Sequence, residues 1–169
     1  MPYSFDYYKN DVKYHIMKNI PHYAKVLDVG AGSGKYGAML RDYFGGIDAI
    51  EVYEPYIEKF DLHSIYKRIF CSDIMEFDLT EFDYIILGDI IEHLTIENAQ
   101  TLLSYINNSD KKCLVAIPYQ MEQDEVGGNI YEKHLQPDLT ENNFIDRYPY
   151  MRLLFNNELY GYYVNYQFI

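Results

Sequence analysis

The chain has 169 residues, 49% hydrophobic and 24% charged, which fits one globular domain large enough to bury a core. Its formal net charge is −12, and its basic clusters are no longer than Lys67-Arg68 and Lys111-Lys112. Proteins that grip DNA or RNA carry a basic stripe to neutralise phosphates, so nucleic acid is not expected as a partner.

In chain order, Met1-Pro-Tyr-Ser-Phe-Asp6 has neither the basic nor the apolar segment of a secretory signal. The first 20 residues are rich in aromatics (Tyr3, Phe5, Tyr7, Tyr8) and form a candidate lid. Residues 11–19 have helical spacing through Val12, Ile16 and Met17, and lead into a first strand over 25–29. A glycine-rich turn follows, then a helix from Lys35 to about Phe44, stopped by Gly45-Gly46. A second strand is expected over 47–52, a helix over 55–62, a third strand over 65–70 and a fourth over 82–87. Thr95 is positioned to cap a helix over 96–106, and a fifth strand over 113–117 is broken by Pro118.

Residues 120–136 are polar, contain Gly127-Gly128 and read as a loop; residues 140–144 suggest a short helix. The runs 150–155 and 160–168 then form an antiparallel hairpin across Asn156-Asn157. Strand-like and helix-like segments alternate with short connections, which argues for an α/β sandwich in a single domain spanning 1–169. No apolar run approaches the roughly 18 residues of a membrane span, so no membrane partner is expected. Cys71 and Cys113 are isolated and lack metal-ligand spacing, so a reduced, cytoplasmic setting is the default. The 20 tyrosines and the absence of tryptophan reflect coding bias more simply than a tyrosine-lined pocket.

The run Val26-Leu-Asp-Val-Gly-Ala-Gly-Ser-Gly-Lys35 carries most of the functional information. A buried strand ends in a tight turn that opens a helix, and glycine lets a ligand approach that turn without a Cβ in the way. The amides and the positive dipole end of the helix face the turn, so a nucleotide-like cofactor is expected. A phosphate-binding P-loop fails here, because Tyr36 follows Gly34-Lys35 and Val29 stands where its first glycine belongs. A dinucleotide fingerprint is met by Gly30 and Gly32 but has Lys35 at its last position.

The pattern that fits is Asp-x-Gly-x-Gly-x-Gly, with Asp28, Gly30, Gly32 and Gly34. In this run the chain resembles the class I S-adenosylmethionine-dependent methyltransferases. The resemblance implies a three-layer α/β sandwich whose seven-stranded, mostly parallel sheet ends in an antiparallel hairpin. It also implies S-adenosylmethionine as cofactor. Glu51, 19 residues after Gly32, stands where an acidic side chain takes the ribose diol, and Glu54 competes for that role. Asp73 matches the acidic residue that accepts from the adenine amino group, and Ile74 the apolar residue that packs on the ring. A turn aspartate and a solvated glutamate are the plainer readings of these acids.

Gly88-Asp89-Ile-Ile-Glu92-His93-Leu94 carries an Asp-x-x-Glu-His-Leu signature that resembles a branch with many small-molecule and sugar O-methyltransferases. There, Gly88 and Asp89 lie under the methionine part of the cofactor. The stretch from Gly128 to Leu135 resembles a segment that walls the acceptor pocket. His93 and His134 are the candidate proton-transfer residues, since imidazole titrates near neutrality. No metal site is expected, because no acidic cluster for Mg²⁺ is evident in the sequence. The Pro-Pro-Tyr element of amino-directed nucleic-acid methyltransferases is replaced by Asp89-Ile-Ile.

The expected function is methyl transfer to a small acceptor, most simply a hydroxyl of a metabolite or sugar. The acceptor half is minimal, so a second copy or a partner subunit is a candidate to complete it. Two alternatives remain: a cofactor-binding partner or regulatory subunit with no catalysis of its own, and a nicotinamide oxidoreductase.

Overall fold

The strand that feeds the glycine turn, β1 (Val26–Val29), is buried along its whole length, as its apolar composition dictates for a strand covered on both faces. It belongs to a computed structural model that describes residues 5–168. Tyr3, one of the aromatics of the expected lid, lies outside the described residues. The strands form one mostly parallel seven-stranded sheet in the order β3-β2-β1-β4-β5-β7-β6, with helices around it. This is the expected sheet, antiparallel end included.

The chain divides into two compact units, residues 5–86 with Phe168, and Leu87–Gln167. In the first, α1 (Lys9–Asn19) buries Val12, His15 and Ile16 on one face. After β1 comes α2 (Lys35–Phe44), which ends where Gly45 takes φ +67° and the Gly46 amide donates back to the Arg41 carbonyl. Then follow β2 (Asp48–Ile50), α3 (Glu54–Lys59), α4 (Leu62–Ile65) and β3 (Arg68–Phe70). β1 and β2 run parallel with Leu27 opposite Asp48, and β2 and β3 run parallel with Asp48 opposite Arg68.

The third strand starts later than its expected bounds. Residues 62–65 close a helical turn instead, and the Tyr66 amide donates to the Leu62 carbonyl at 3.0 Å. Ile65 and Tyr66, expected to open the strand, lie against Gly37 of α2 instead.

β4 is Tyr84–Gly88, buried throughout. In the second unit Thr95 caps α5 (Ile96–Asn108), its hydroxyl accepting from the Asn98 amide at 3.2 Å. β5 (Lys112–Pro118) includes Pro118, which sits at the strand end, where a missing N–H costs least. Thr140 caps α6 (Glu141–Arg147) in the same way as Thr95. β6 (Arg152–Asn156) and β7 (Tyr160–Val164) form the terminal hairpin, with a register shift between Leu153 and Phe155. β7 pairs antiparallel with β5 from Leu114 opposite Val164 to Pro118 opposite Tyr160.

The 120–136 segment is more ordered than a plain loop. Val126 and Asn129 bridge across Gly127-Gly128, both at positive φ, the tight-turn geometry that glycine permits. A 3-10 turn (Ile130–Glu132) follows, capped by the Asn129 side chain.

Candidate functional site

Gly30, Gly32 and Gly34 all have left-handed φ, at +67°, +49° and +79°, where a Cβ is disfavoured. The amides of Gly30 and Ala31 both donate to the Ile50 carbonyl, so β2 holds the turn from beneath. The third glycine has a second reason to be glycine: a Cβ at Gly34 would stand 2.6 Å from Ile65 Cδ1. Gly37, one turn further along α2, would place a Cβ 2.5 Å from the Tyr66 ring. The glycine turn and the first turn of α2 are therefore packed hard against residues 62–66.

Asp28 is 2% exposed and accepts a 2.5 Å hydrogen bond from the Tyr66 hydroxyl. Burial pushes its carboxyl up to about 7, against the opposing pull of Tyr66 and of the Lys9 charge, with Glu51 adding to the rise. Glu51 is 4% exposed and lies just past β2. One of its oxygens accepts from the Gly32 amide at 3.0 Å and the other from the Tyr53 amide at 2.9 Å. These bonds orient the carboxylate at the glycine turn. Asp73 accepts from the Met75 amide at 2.9 Å, an Asx turn that orients its carboxylate, and Ile74 beside it is buried. Lys35, at the head of α2, is paired with Asp6 of the amino-terminal segment at 2.6 Å, where Phe5 and Tyr7 stack.

In the second unit Gly88 ends β4 and Asp89 takes a left-handed φ of +57°. The Asp89 amide donates to the Ala116 carbonyl at 2.9 Å, and its carboxylate accepts from the Tyr160 hydroxyl at 2.7 Å. A residue with a Cβ in this conformation carries strain, and such strain concentrates at working sites.

The chain then makes a 3-10 turn (Ile91–His93) that brings Glu92 and His93 against His134. One potential ligand atom from each of these three side chains lies within 4.8 Å of the others. The imidazoles meet edge to face, with centroids 4.7 Å apart. His93 Nδ1 is hydrogen-bonded to the Lys133 carbonyl at 3.1 Å, and His134 Nδ1 to the Met121 carbonyl at 2.8 Å. A carbonyl only accepts, so Nδ1 carries the proton in both rings and a neutral ring keeps its lone pair on Nε2. Burial, with His134 close by, lowers His93 to about 4, and burial lowers His134 as well. Glu92 is 1% exposed, and neither carboxylate oxygen has a hydrogen-bond partner. Desolvation, then the charges of Asp89 and Glu132, holds its carboxyl well above the usual range.

Sequence reasoning singled out His93 and His134 without joining them and gave Glu92 no role. It also missed Gln136, which is 2% exposed. The Gln136 amide nitrogen donates to the Ile91 and Leu94 carbonyls, and its oxygen accepts from Arg147 and Tyr148. The backbone amides of Leu135 and Gln136 both donate to the Glu92 carbonyl. The two segments that carry the cluster are thus sewn together at their bases. A polar residue at the end of a polar loop gives no signal of this in one dimension.

No family model matches the chain, and no curated protein matches it. Solved structures do match. An S-adenosylmethionine-dependent methyltransferase from Clostridium acetobutylicum superposes with a TM-score of 0.65 at 13% identity, over 95% of this chain and 91% of that one. Magnesium protoporphyrin IX methyltransferase from Synechocystis, solved with S-adenosylmethionine bound, gives 0.65 at 10% identity, over 92% and 76%. The 1,6-didemethyltoxoflavin-N1-methyltransferase of Burkholderia thailandensis gives 0.57 at 16% identity, over 94% and 80%. The chain thus has the fold of these methyltransferases.

Proposed function

We propose that the protein is a class I methyltransferase that transfers a methyl group from S-adenosylmethionine to a hydroxyl of a small molecule. The observation that carries this reading is the Glu51 carboxylate, 4% exposed just past β2 and bonded to the Gly32 amide of the glycine turn, which puts a charged acceptor beside that turn. In the proposal Asp28, Gly30, Gly32 and Gly34 shape the cofactor turn, Asp73 and Ile74 take the adenine, and Gly88 and Asp89 take the methionine end. S-adenosylmethionine supplies an already activated methyl group, so the protein's part is mainly alignment and exclusion of water.

The acceptor would meet the Glu92–His93–His134 cluster. Free Nε2 lone pairs can take the hydrogen bond of a hydroxyl and so aim its oxygen. At about 4, His93 is a weak base at neutral pH, and its contribution is orientation more than proton removal. The net charge of −12 supports an acceptor other than nucleic acid. The 120–136 segment, which carries His134, is the proposed wall of the acceptor site.

Calorimetric titration with S-adenosylmethionine tests the cofactor assignment. Saturable binding is expected, weakened tenfold or more in Glu51→Ala, because a bond to a charged acceptor is worth about 1.5–3 kcal/mol. Absence of binding by the folded wild-type chain would overturn the reading. Equal affinity in Glu51→Ala would overturn the ribose assignment alone. Binding without transfer to any of a panel of sugars and hydroxylated metabolites would favour the non-catalytic partner subunit.

A further inference from the structure

We infer that Glu92, His93 and His134 form a binding site for one divalent transition-metal ion, with two imidazole nitrogens and a carboxylate as its protein ligands. The first argument is Glu92. A carboxylate almost fully removed from water, with no hydrogen bond to either oxygen, is among the costliest arrangements a fold can keep. Asp89 and Glu132 add negative charge around it. A cation among these groups would remove the penalty and let Glu92 ionise. Protonation alone leaves a buried donor and acceptor without partners.

The histidines supply the second argument. Each is fixed through Nδ1 on a backbone carbonyl, Lys133 for one ring and Met121 for the other, which leaves Nε2 to ligate. Metal-binding histidines are held in this way, since the outer hydrogen bond sets both tautomer and ring direction. Rigidity is the third. His134 is held further by its own amide, which donates to the Gln123 carbonyl, and Gln136 clamps the 91–94 turn. Two nitrogens and one oxygen suit Zn²⁺, Co²⁺, Fe²⁺ or Mn²⁺, whereas Mg²⁺ and Ca²⁺ prefer all-oxygen shells. Three protein ligands leave positions open for water or a substrate oxygen.

Cation binding stands on the cluster alone; its use rests on the methyl-transfer reading. There, the ion would hold the acceptor oxygen and lower the pKa of its hydroxyl, whose proton passes to water. A strong protein base would then be unnecessary.

The test uses the full chain, stripped with a chelator and titrated separately with Co²⁺, Zn²⁺ and Mn²⁺. One ion per chain is expected, with visible ligand-field bands for Co²⁺. Affinity should fall tenfold or more in both His134→Ala and Glu92→Gln, with far-ultraviolet circular dichroism confirming that each variant folds. If Glu92→Gln does not fold, His134→Ala and His93→Ala carry the comparison. No saturable binding by the wild-type chain, or unchanged affinity and Co²⁺ spectrum in the folded variants, would overturn the inference. Titration of the same samples with S-adenosylmethionine separates the two readings. Cofactor binding without metal overturns this site alone, and metal binding without cofactor overturns the methyltransferase reading alone.

Discussion

The hydroxyl of Tyr66 donates a 2.5 Å hydrogen bond to the carboxylate of Asp28 and accepts one from the Gly37 amide at 3.3 Å. One buried phenol thus links the strand before the glycine turn, the helix after it and the residue that follows α4. The third glycine, the short helix and the acid of the turn form one packed unit.

That unit should titrate. Asp28 sits at about 7 in the fold against an ordinary 3.8, so the folded chain holds a proton that the unfolded chain releases between those values. The stabilisation from this group is complete below about pH 4 and is lost as pH rises through about 7, a change of roughly 4 kcal/mol at most. Asp28→Asn keeps an acceptor for Tyr66 and removes the titration. Urea unfolding from pH 5 to pH 8.5 should show a flatter stability profile for the variant, and greater stability than wild type at pH 8. Parallel profiles would assign Asp28 an ordinary carboxyl.

Gly37→Ala ought to destabilise, although alanine is the better helix former by about 1 kcal/mol. The new Cβ would lie 2.5 Å from the Tyr66 ring and 2.7 Å from Ile65 Cγ2. Overpacking of this kind costs about 1–3 kcal/mol. Tyr66→Phe in the same chain should not rescue it, because the ring remains. Thermal or urea midpoints of the single and double variants decide this.

Gln136→Ala removes two bonds to the 91–94 turn and leaves Arg147 and Tyr148 without their shared acceptor. A loss of about 1–3 kcal/mol in unfolding free energy is expected. The same variant should weaken metal affinity without touching a ligand. A stability loss with wild-type metal affinity would mean that the clamp does not position the cluster.

Tyr160→Phe tests the other polar tie in this unit. It deletes the hydroxyl that bonds Asp89 at 2.7 Å, and bonds to charged groups are worth about 1.5–3 kcal/mol. Under the methyl-transfer reading, S-adenosylmethionine affinity should fall about tenfold, with an unchanged far-ultraviolet circular dichroism spectrum showing that the variant folds. Unchanged affinity would remove Asp89 from the cofactor assignment.

Local rules carried the sequence reading a long way. The glycine turn, the Gly45-Gly46 stop, the cap at Thr95 and the terminal hairpin each depend on residues within a few positions of one another. They were legible because φ preference, capping and apolar periodicity act over that range. Ile65 misled for the same reason: it is apolar in either a strand or a helical turn, and its packing against the glycine face of α2 decided the outcome.

By itself, then, the sequence determined most of the elements, the α/β class and the glycine turn, because backbone sterics and hydrophobic periodicity are local; the seven-stranded mixed sheet was expected from the family resemblance. Only the tertiary structure decided that Glu92, His93 and His134 converge, that Glu92 is buried without a hydrogen bond, and that Gln136 holds the two segments together. Those facts depend on which distant segments share the space beside β4 and on how much water that packing excludes. Neither the approach of groups far apart in the chain nor the local dielectric is written in any short window of residues.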